Sequence, residues 1–216
     1  MATEHIGKIL ASLPAASKAP PTPPKWLPQW PAQLRPCPKG ISVERSRVSQ
    51  SRYDALKRKL DAGQWPLYFY GETGRGKTFA AAMIYAEWPA VIGAPVRPQF
   101  WPAAKIIGDL IESRFSGGAT AIQKTCEAAG LIVIDDIIDR NMTDARCAAL
   151  LDLMNWREGK PLILTGNFSP ARFTEVRADG SRVIPDERLV SRLMSGKALN
   201  FLGPDMRLEN FEVEEV

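Results

Sequence analysis

The chain has few of the residues that build metal centres and disulfide frameworks. Of its 216 residues, one is histidine and three are cysteine. With His5 as the only histidine, a histidine-rich metal site and a catalytic triad built on histidine are excluded. The cysteines are widely spaced, odd in number and without a CxxC pair, which favours free thiols in a reducing cytoplasm over a disulfide framework or a zinc site. We therefore expect a cytoplasmic protein.

Long apolar runs are also missing. No run approaches the roughly 20 apolar residues needed to cross a bilayer, and the N-terminus lacks the basic segment and apolar core of a secretory signal. Hydrophobic residues make up 45% of the chain and charged residues 24%, which is typical of a globular protein. We expect one domain of ordinary size with no membrane partner.

The first 44 residues differ in composition from the rest. Residues 14–38 contain nine of the 18 prolines, and no acidic residue lies between Glu4 and Glu44, which predicts an extended linker over 14–44. Ahead of it, one face of a short helix over 1–13 is predicted by apolar residues at i, i+3, i+4 and i+7, namely Ile6, Ile9, Leu10 and Leu13. This helix either docks on its own domain or lies in a partner's groove. The folded domain is expected over 45–216.

Apolar strands alternate with helices from about residue 50 onward. Strands are predicted at 67–70, near 99–101, and at 131–135, 161–167 and 198–202. A helix is predicted to begin at Lys77 and to stop at Pro89, and a later one runs from Glu187 to Met194, after a hairpin over 174–184. Strands that are apolar throughout predict a parallel sheet covered by helices on both faces, the α/β class.

A phosphate-binding motif follows the first of these strands. The sequence GETGRGKT at 71–78 matches G-x-x-x-x-G-K-[ST], with a strand before it and a helix after it. Backbone N–H groups of such a loop surround phosphates at a helix N-terminus. Lys77 would reach the β- and γ-phosphates and the Thr78 hydroxyl would bind Mg²⁺. The motif predicts that ATP and Mg²⁺ are bound by Gly71, Glu72, Thr73, Gly74, Arg75, Gly76, Lys77 and Thr78.

An acidic pair ends the strand LIVIDD. At the carboxyl end of a parallel strand, Asp135 would hold Mg²⁺ directly or through water. Asp136 would polarise an attacking water. The same two residues could instead be a helix N-cap and its solvated neighbour.

The strand PLILTGN ends in a third polar residue. Asn167, with Thr165 two positions before it, could lie beside the γ-phosphate and hold the attacking water. Alternatively, Asn167 caps the turn before Ser169 and Pro170.

Two arginines lie four residues apart in ERLVSRLMSG. Arg188 and Arg192 therefore share one side of a helix. Phosphoryl transfer benefits from an arginine that stabilises the transition state, and a neighbouring molecule often supplies it. Their spacing alone fits surface charge equally well.

The order of these motifs resembles that of a known family. The segments GETGRGKT, LIVIDD, PLILTGN, ERLVSRLMSG and finally DMR resemble the AAA+ ATPases of the DnaC and IstB type, which are helicase loaders and transposition helper ATPases. The resemblance covers about residues 45–210. It implies an AAA+ P-loop core in which Asn167 is the polar sensor and Arg192 is an arginine finger given to the next subunit. Arg188 would be a helper, and Arg207 would stand in the place of the second sensor arginine.

Two departures accompany the resemblance. Much of the family has Glu where this sequence has Asp136, which is one methylene shorter. Asp at this place is familiar within the clade, so the resemblance allows hydrolysis, whether fast or slow. The sequence also ends soon after DMR, so we expect no full helical lid domain.

The resemblance implies a function in DNA replication. We expect an ATPase that forms homo-oligomers with shared ATP sites, binds single-stranded DNA and delivers a replicative helicase through its N-terminal arm. In the family, the region of PAAKIIGDLIESRF faces a DNA channel, and basic residues suited to this lie at Arg97, Lys105, Arg114 and Lys124. The alternatives are a helper ATPase that hands target DNA to a transposase, and an ATP-gated oligomerising adaptor with little turnover. A small-molecule kinase is disfavoured, because no arginine-rich lid or acceptor-site insert is evident.

Overall fold

The computed structural model describes residues 56, 58, 60, 62–92, 98–116, 119–138 and 142–203. The predicted N-terminal helix at 1–13, the linker at 14–44, Arg97 and Arg207 lie outside these residues. The division of the chain into arm, linker and ATPase domain therefore stays a prediction.

Strands and helices alternate through the described residues. Leu56, Arg58 and Leu60 are helical and precede the first strand. The elements that follow are β1 (Leu67–Tyr70), α1 (Lys77–Ile92), β2 (Gln99–Pro102), α2 (Ala103–Ser116), α3 (Ala119–Ala128), β3 (Ile132–Asp135), α4 (Asp144–Trp156), β4 (Leu162–Gly166), a 3-10 helix (Pro170–Thr174), α5 (Glu187–Met194) and β5 (Lys197–Asn200). All five predicted strands are present.

The strands form one parallel sheet in the order β2-β3-β4-β1-β5. Strand β1 lies between β4 and β5, so Tyr70 is in register with Gly166 on one side and Asn200 on the other. Because all strands run in the same direction, their carboxyl ends meet at one edge of the sheet. In open α/β sheets, ligands bind at this edge.

Both faces of the three central strands β1, β3 and β4 are largely buried, as their apolar sequences predict, whereas β2 is half-buried and β5 is mostly exposed. On one face, Tyr68, Ile134 and Leu164 pack in a cluster with side chains of α2, α3, α4 and α5. On the other, Phe69 and Val133 pack with side chains of α1. The predicted α/β fold is confirmed. Within the described part of the chain, no helix is both long enough and apolar enough to span a membrane.

Helix α1 does not stop at Pro89, so that prediction was wrong. The helix continues to Ile92. A proline inside a helix removes one N–H donor and costs about 3 kcal/mol. The turns before it bury Met83, Ile84 and Trp88 against the sheet, and each such side chain contributes about 1.5–3 kcal/mol. Packing therefore outweighs the local signal.

The hairpin predicted over 174–184 is present in reduced form. It consists of a single antiparallel bridge between Val176 and Arg182. The turn places Gly180 at φ +81°, and Asp179 accepts hydrogen bonds from the backbone and side chain of Ser181. The sequence did not predict the 3-10 helix that precedes this hairpin.

The two cysteines within the described residues, Cys126 and Cys147, are free thiols, as predicted. Burial raises the pKa of Cys126 to about 12 and also raises that of Cys147. Both thiols are therefore protonated at neutral pH and are poor nucleophiles.

A buried arginine ties α3 to the loop before β4. Arg157 is 2% exposed, and its guanidinium donates to the carbonyls of Cys126, Ala129 and Pro161 at 2.9, 2.7 and 2.6 Å. Burial lowers the pKa of Arg157 to about 10, which leaves it charged at neutral pH. These hydrogen bonds satisfy three carbonyls at the end of α3 and in the loop.

We expect Arg157→Ala to lower the free energy of unfolding by about 3 kcal/mol, because it removes three hydrogen bonds that a charged donor makes to backbone carbonyls. Of these acceptors, the carbonyl of Pro161 keeps its hydrogen bond from the N–H of Ile132. Urea denaturation measures the loss. Arg114→Ala is the matched control, since Arg114 forms an exposed ion pair with Asp152 that contributes less than about 1 kcal/mol. Equal losses in the two variants would contradict this assignment.

Candidate nucleotide-binding site

The phosphate loop, residues 71–78, joins β1 to α1 at the carboxyl edge of the sheet. Gly71, Gly74 and Gly76 have φ of +144°, +79° and +83°, a region that other residues rarely adopt. A Cβ atom on Gly71 would lie 2.5 Å from the carbonyl oxygen of Phe201. The glycines therefore allow a tight loop whose last residues begin α1, and the motif lies in the strand–loop–helix setting that it requires.

Lys77 connects the loop to the end of β4. Its Nζ donates to the carbonyls of Gly71 at 2.8 Å and Glu72 at 2.7 Å, and to Oδ1 of Asn167 at 2.9 Å. The side chain is 7% exposed. The ammonium group is thus fixed within the loop, beside the predicted sensor residue.

Thr78 and Asp135 bring two oxygen ligands together. The Thr78 hydroxyl donates to Oδ1 of Asp135 at 2.8 Å, which joins the first turn of α1 to the end of β3. Mg²⁺ takes oxygen ligands and retains several waters and phosphate oxygens in its shell. One hydroxyl and one carboxylate at this point suit that ion.

Asp136 and Asn167 lie next to each other. The amide of Asn167 donates to Oδ1 of Asp136 at 3.4 Å while accepting from Lys77. Helix α4 has Thr143 as its N-cap, so the acidic pair does not cap it. The turn before Pro170 has Ser169 at the N-cap position of the 3-10 helix. These contacts favour the interpretation of both side chains as parts of a phosphate site.

Thr165 is a member of this cluster that the sequence prediction did not include among its site residues. Its hydroxyl donates to Oδ1 of Asp135 at 2.6 Å and accepts from the backbone N–H of Asp136 at 2.9 Å. The signal was a polar residue inside an otherwise apolar strand, two positions before Asn167. A buried hydroxyl must find hydrogen-bond partners, and here both belong to the acidic pair.

The arginines of α5 are not among the contacts of this cluster. Arg188 pairs with Asp186, the N-cap of the helix, at 2.8 Å, and Arg192 pairs with Glu158 at 2.5 and 3.2 Å. The hydrogen bond from Arg192 lowers the pKa of Glu158. Glu72 and Arg75, in the loop itself, pair with each other. The structure thus brings together the lysine, the acids, Thr78 and Asn167, but neither arginine of α5.

Comparisons with known proteins identify the fold. No protein-family model matches the chain. The chromosomal replication initiator protein DnaA of Acinetobacter baylyi is 28% identical over 148 residues, which are 65% of this chain and 29% of that protein. AMPPCP-bound DnaA from Aquifex aeolicus has a TM-score of 0.57 at 20% identity, over 73% of this chain and 48% of that one. These proteins are AAA+ ATPases.

Two further structures match over nearly their whole length. DnaI has a TM-score of 0.57 at 17% identity and covers 82% of this chain and 94% of that one. The DnaC helicase loader has a TM-score of 0.56 at 22% identity, and the match covers 71% of this chain and 91% of that one. The chain has the AAA+ fold.

At the level of the fold, the predicted resemblance to DnaC-type AAA+ ATPases is confirmed. The AAA+ core here spans less than a third of the DnaA sequence that it matches, but most of the DnaI and DnaC structures. No helical lid follows β5 up to Gly203, where the description ends. The expected absence of a full lid stays a prediction, because residues 204–216 lie outside the described residues.

Proposed function

We propose that this chain is a Mg²⁺-dependent ATPase that loads a replicative helicase onto single-stranded DNA during DNA replication. One observation carries the proposal. At the carboxyl edge of the sheet, the hydroxyl of Thr165 joins two hydrogen-bonded groups into a single cluster, which contains Lys77, Thr78, Asp135, Asp136 and Asn167. The cluster lies in a fold shared with a structure described as the DnaC helicase loader.

Each member of the cluster has a distinct part in the proposed hydrolysis. Lys77 places positive charge beside the phosphates. Asp136 and Asn167 orient a water for attack on the γ-phosphorus, and Asp136 takes its proton as the bond to the β-phosphate oxygen breaks. Thr78 and Asp135 would hold Mg²⁺, which neutralises phosphate charge when bound. The remaining loop residues supply backbone N–H groups to the phosphates.

The arginines of α5 complete the proposed site between copies of the chain. Arg188 is exposed and Arg192 is partly exposed, and their ion pairs are with Asp186 and Glu158 rather than with the cluster. An arginine placed in this way can reach the γ-phosphate of a neighbouring subunit. We assign that part to Arg192, with Arg188 as helper. Arg207, outside the described residues, is proposed as the second sensor by resemblance.

The basic residues proposed to contact DNA on helices α2 and α3 are partly paired with carboxylates. Lys105 is paired with Asp109, and Arg114 is paired with Asp152. Lys124 is exposed. Because carboxylates neutralise two of these cations, the proposed channel contact with single-stranded DNA relies on Lys124 and on Arg97, which lies outside the described residues.

The test of the proposed function is helicase capture. We expect the full chain with ATP to retain the replicative helicase of the same genome on a bead-bound single-stranded oligonucleotide. A variant without residues 1–40 is expected to lose at least about nine-tenths of this capture, because the arm is the proposed contact. Retained helicase is quantified on gels, with beads lacking DNA as the control.

Three outcomes would contradict the proposal. Unchanged capture by the truncated chain would remove the arm from it. Absence of helicase capture, together with capture of a transposase of the same genome, would favour the transposition helper. Nucleotide-dependent oligomers without measurable ATP turnover would favour the oligomerising adaptor. The side chain of Asp136, one methylene shorter than Glu, would then be the structural reason for the low turnover.

A further inference from the structure

The end of β4 carries a buried hydroxyl with an unusual pair of partners. Thr165 is 1% exposed. Its hydroxyl contacts the carboxylate of Asp135, the last residue of β3, and the backbone amide of Asp136, the residue that follows it. One side chain therefore holds both members of the acidic pair.

This contact stands where the sheet ladder between β3 and β4 ends. The last paired residues are Ile134 and Leu164. Beyond them, Thr165 supplies both acceptors for the departing chain: its hydroxyl accepts from Asp136 N–H at 2.9 Å and its carbonyl accepts from Ile137 N–H at 2.8 Å. The direction in which the chain leaves β3 is therefore determined by a single residue of β4.

The donor and acceptor roles of the hydroxyl are fixed by its surroundings. A hydroxyl has one proton to donate, and an ionised carboxylate only accepts. The proton therefore points to Oδ1 of Asp135, and the lone pairs of the oxygen face the N–H of Asp136. A methyl group in place of the hydroxyl would break both hydrogen bonds at once.

Asp136 has a backbone conformation that needs such support. Its φ is +61°, a left-handed region that residues other than glycine enter rarely and at a cost. The two hydrogen bonds to Thr165 hold this turn, and the turn directs the Asp136 carboxylate to the amide of Asn167. Left-handed residues of this kind are often found at functional sites, where the surrounding structure determines them.

We propose that Thr165 is a positioning residue that aligns the magnesium-binding and water-binding halves of the site. This inference rests on the proposed ATPase function. Through Asp135, the Thr165 hydroxyl orients the carboxylate that would hold Mg²⁺ with Thr78. Through the amide of Asp136, it orients the carboxylate that would take the proton of the attacking water.

A purely structural role would give a different result. A buried hydroxyl needed only for stability would lower the melting temperature on removal and leave the magnesium requirement of folded protein unchanged. Ser113 offers the matched control: its hydroxyl is also buried and donates to the carbonyl of Leu110 at 2.9 Å within α2, away from the cluster.

The experiment compares Thr165→Val, Thr165→Ser and Ser113→Ala in the full chain. Thr165→Val is expected to lower kcat and to raise the Mg²⁺ concentration at half-saturation, each by about 10-fold to 100-fold, which is the effect of losing a hydrogen bond to a charged group. Thr165→Ser keeps the hydroxyl and should remain within about threefold of wild type. Ser113→Ala should change neither quantity.

A second readout does not depend on turnover. Binding of a fluorescent non-hydrolysable ATP analogue is titrated with Mg²⁺, and the melting temperature is measured without nucleotide. The inference would be overturned if the Thr165→Val variant bound the analogue with the magnesium dependence of wild type. It would also be overturned if the Thr165→Ser variant were as impaired as the Thr165→Val variant. Wild type that binds no analogue would overturn the proposed function itself, and the inference with it.

Discussion

Lys77→Ala is expected to lower the rate of ATP hydrolysis by at least about hundredfold, since losing one donor to developing charge costs this much in other enzymes. The loss has two sources. The variant removes the positive charge proposed for the β- and γ-phosphates, and it also removes the donor that holds Asn167. A coupled assay of ADP release measures hydrolysis, and calorimetric titration with Mg²⁺ and ATP measures nucleotide binding.

Lys105→Ala is the matched control for this experiment. Lys105 is an exposed lysine on α2, paired with Asp109, and its removal should leave hydrolysis within about twofold of wild type. Lys77→Arg is expected to be as inactive as Lys77→Ala, because three acceptors within 2.9 Å surround a compact ammonium group and a planar guanidinium does not fit there. Hydrolysis by Lys77→Ala within threefold of wild type would contradict the assignment of the phosphate loop.

Periodicity and capping predicted most of the fold. Strands that are apolar on both faces had to be covered by helices on both faces. The bounds predicted for α5, Glu187 to Met194, agree with the structure. Asp186 caps that helix with a hydrogen bond to the N–H of Arg188, a signal that can be read from sequence. The predicted helix end at Pro89 was wrong because it considered only the N–H donor that proline lacks. It did not consider how many side chains of α1 are buried.

Contacts between distant segments were harder to predict. The phosphate loop and the acidic pair carry a motif, so their proximity was expected. The sequence alone does not show that β3 and β4 are adjacent in the sheet. Without the strand order, no hydrogen-bond partner can be assigned to the hydroxyl of Thr165. Arg157 was missed for the same reason, since its carbonyl partners lie up to 31 positions away. A polar residue in an apolar strand and an arginine after a helix are ambiguous until the strand order is known.

The position of Arg192 sets a requirement on assembly. In one chain its guanidinium is held by Glu158, a carboxylate in the turn after α4. Glu158 is exposed and Arg192 is partly exposed, and ion pairs in contact with water are weak. Arg192 can therefore exchange this carboxylate for a phosphate bound to a neighbouring subunit with little rearrangement once two copies meet. Because the copies must meet, the hydrolysis rate per subunit should increase with protein concentration.

Arg192→Ala is accordingly expected to reduce hydrolysis by up to about 10³-fold, the lower range for arginine fingers, while ATP binding by the isolated chain changes little. Mixed with Lys77→Ala, it should recover activity. The Arg192→Ala subunit keeps a complete loop and acidic pair, and the Lys77→Ala subunit keeps the arginine, so an interface between them holds one intact site. Steady-state hydrolysis across a series of mixing ratios measures this recovery.

The control for the mixing experiment is an arginine without a proposed catalytic part. Arg182 is similarly exposed and pairs with Glu187 at the start of the same helix, so Arg182→Ala should hydrolyse ATP as wild type does. Recovery is expected to peak at intermediate ratios and to vanish at either end, because only mixed interfaces contain both groups. If the mixture is as inactive as its components while wild type turns over, Arg192 does not act between subunits, and each chain must complete its site with an arginine of its own.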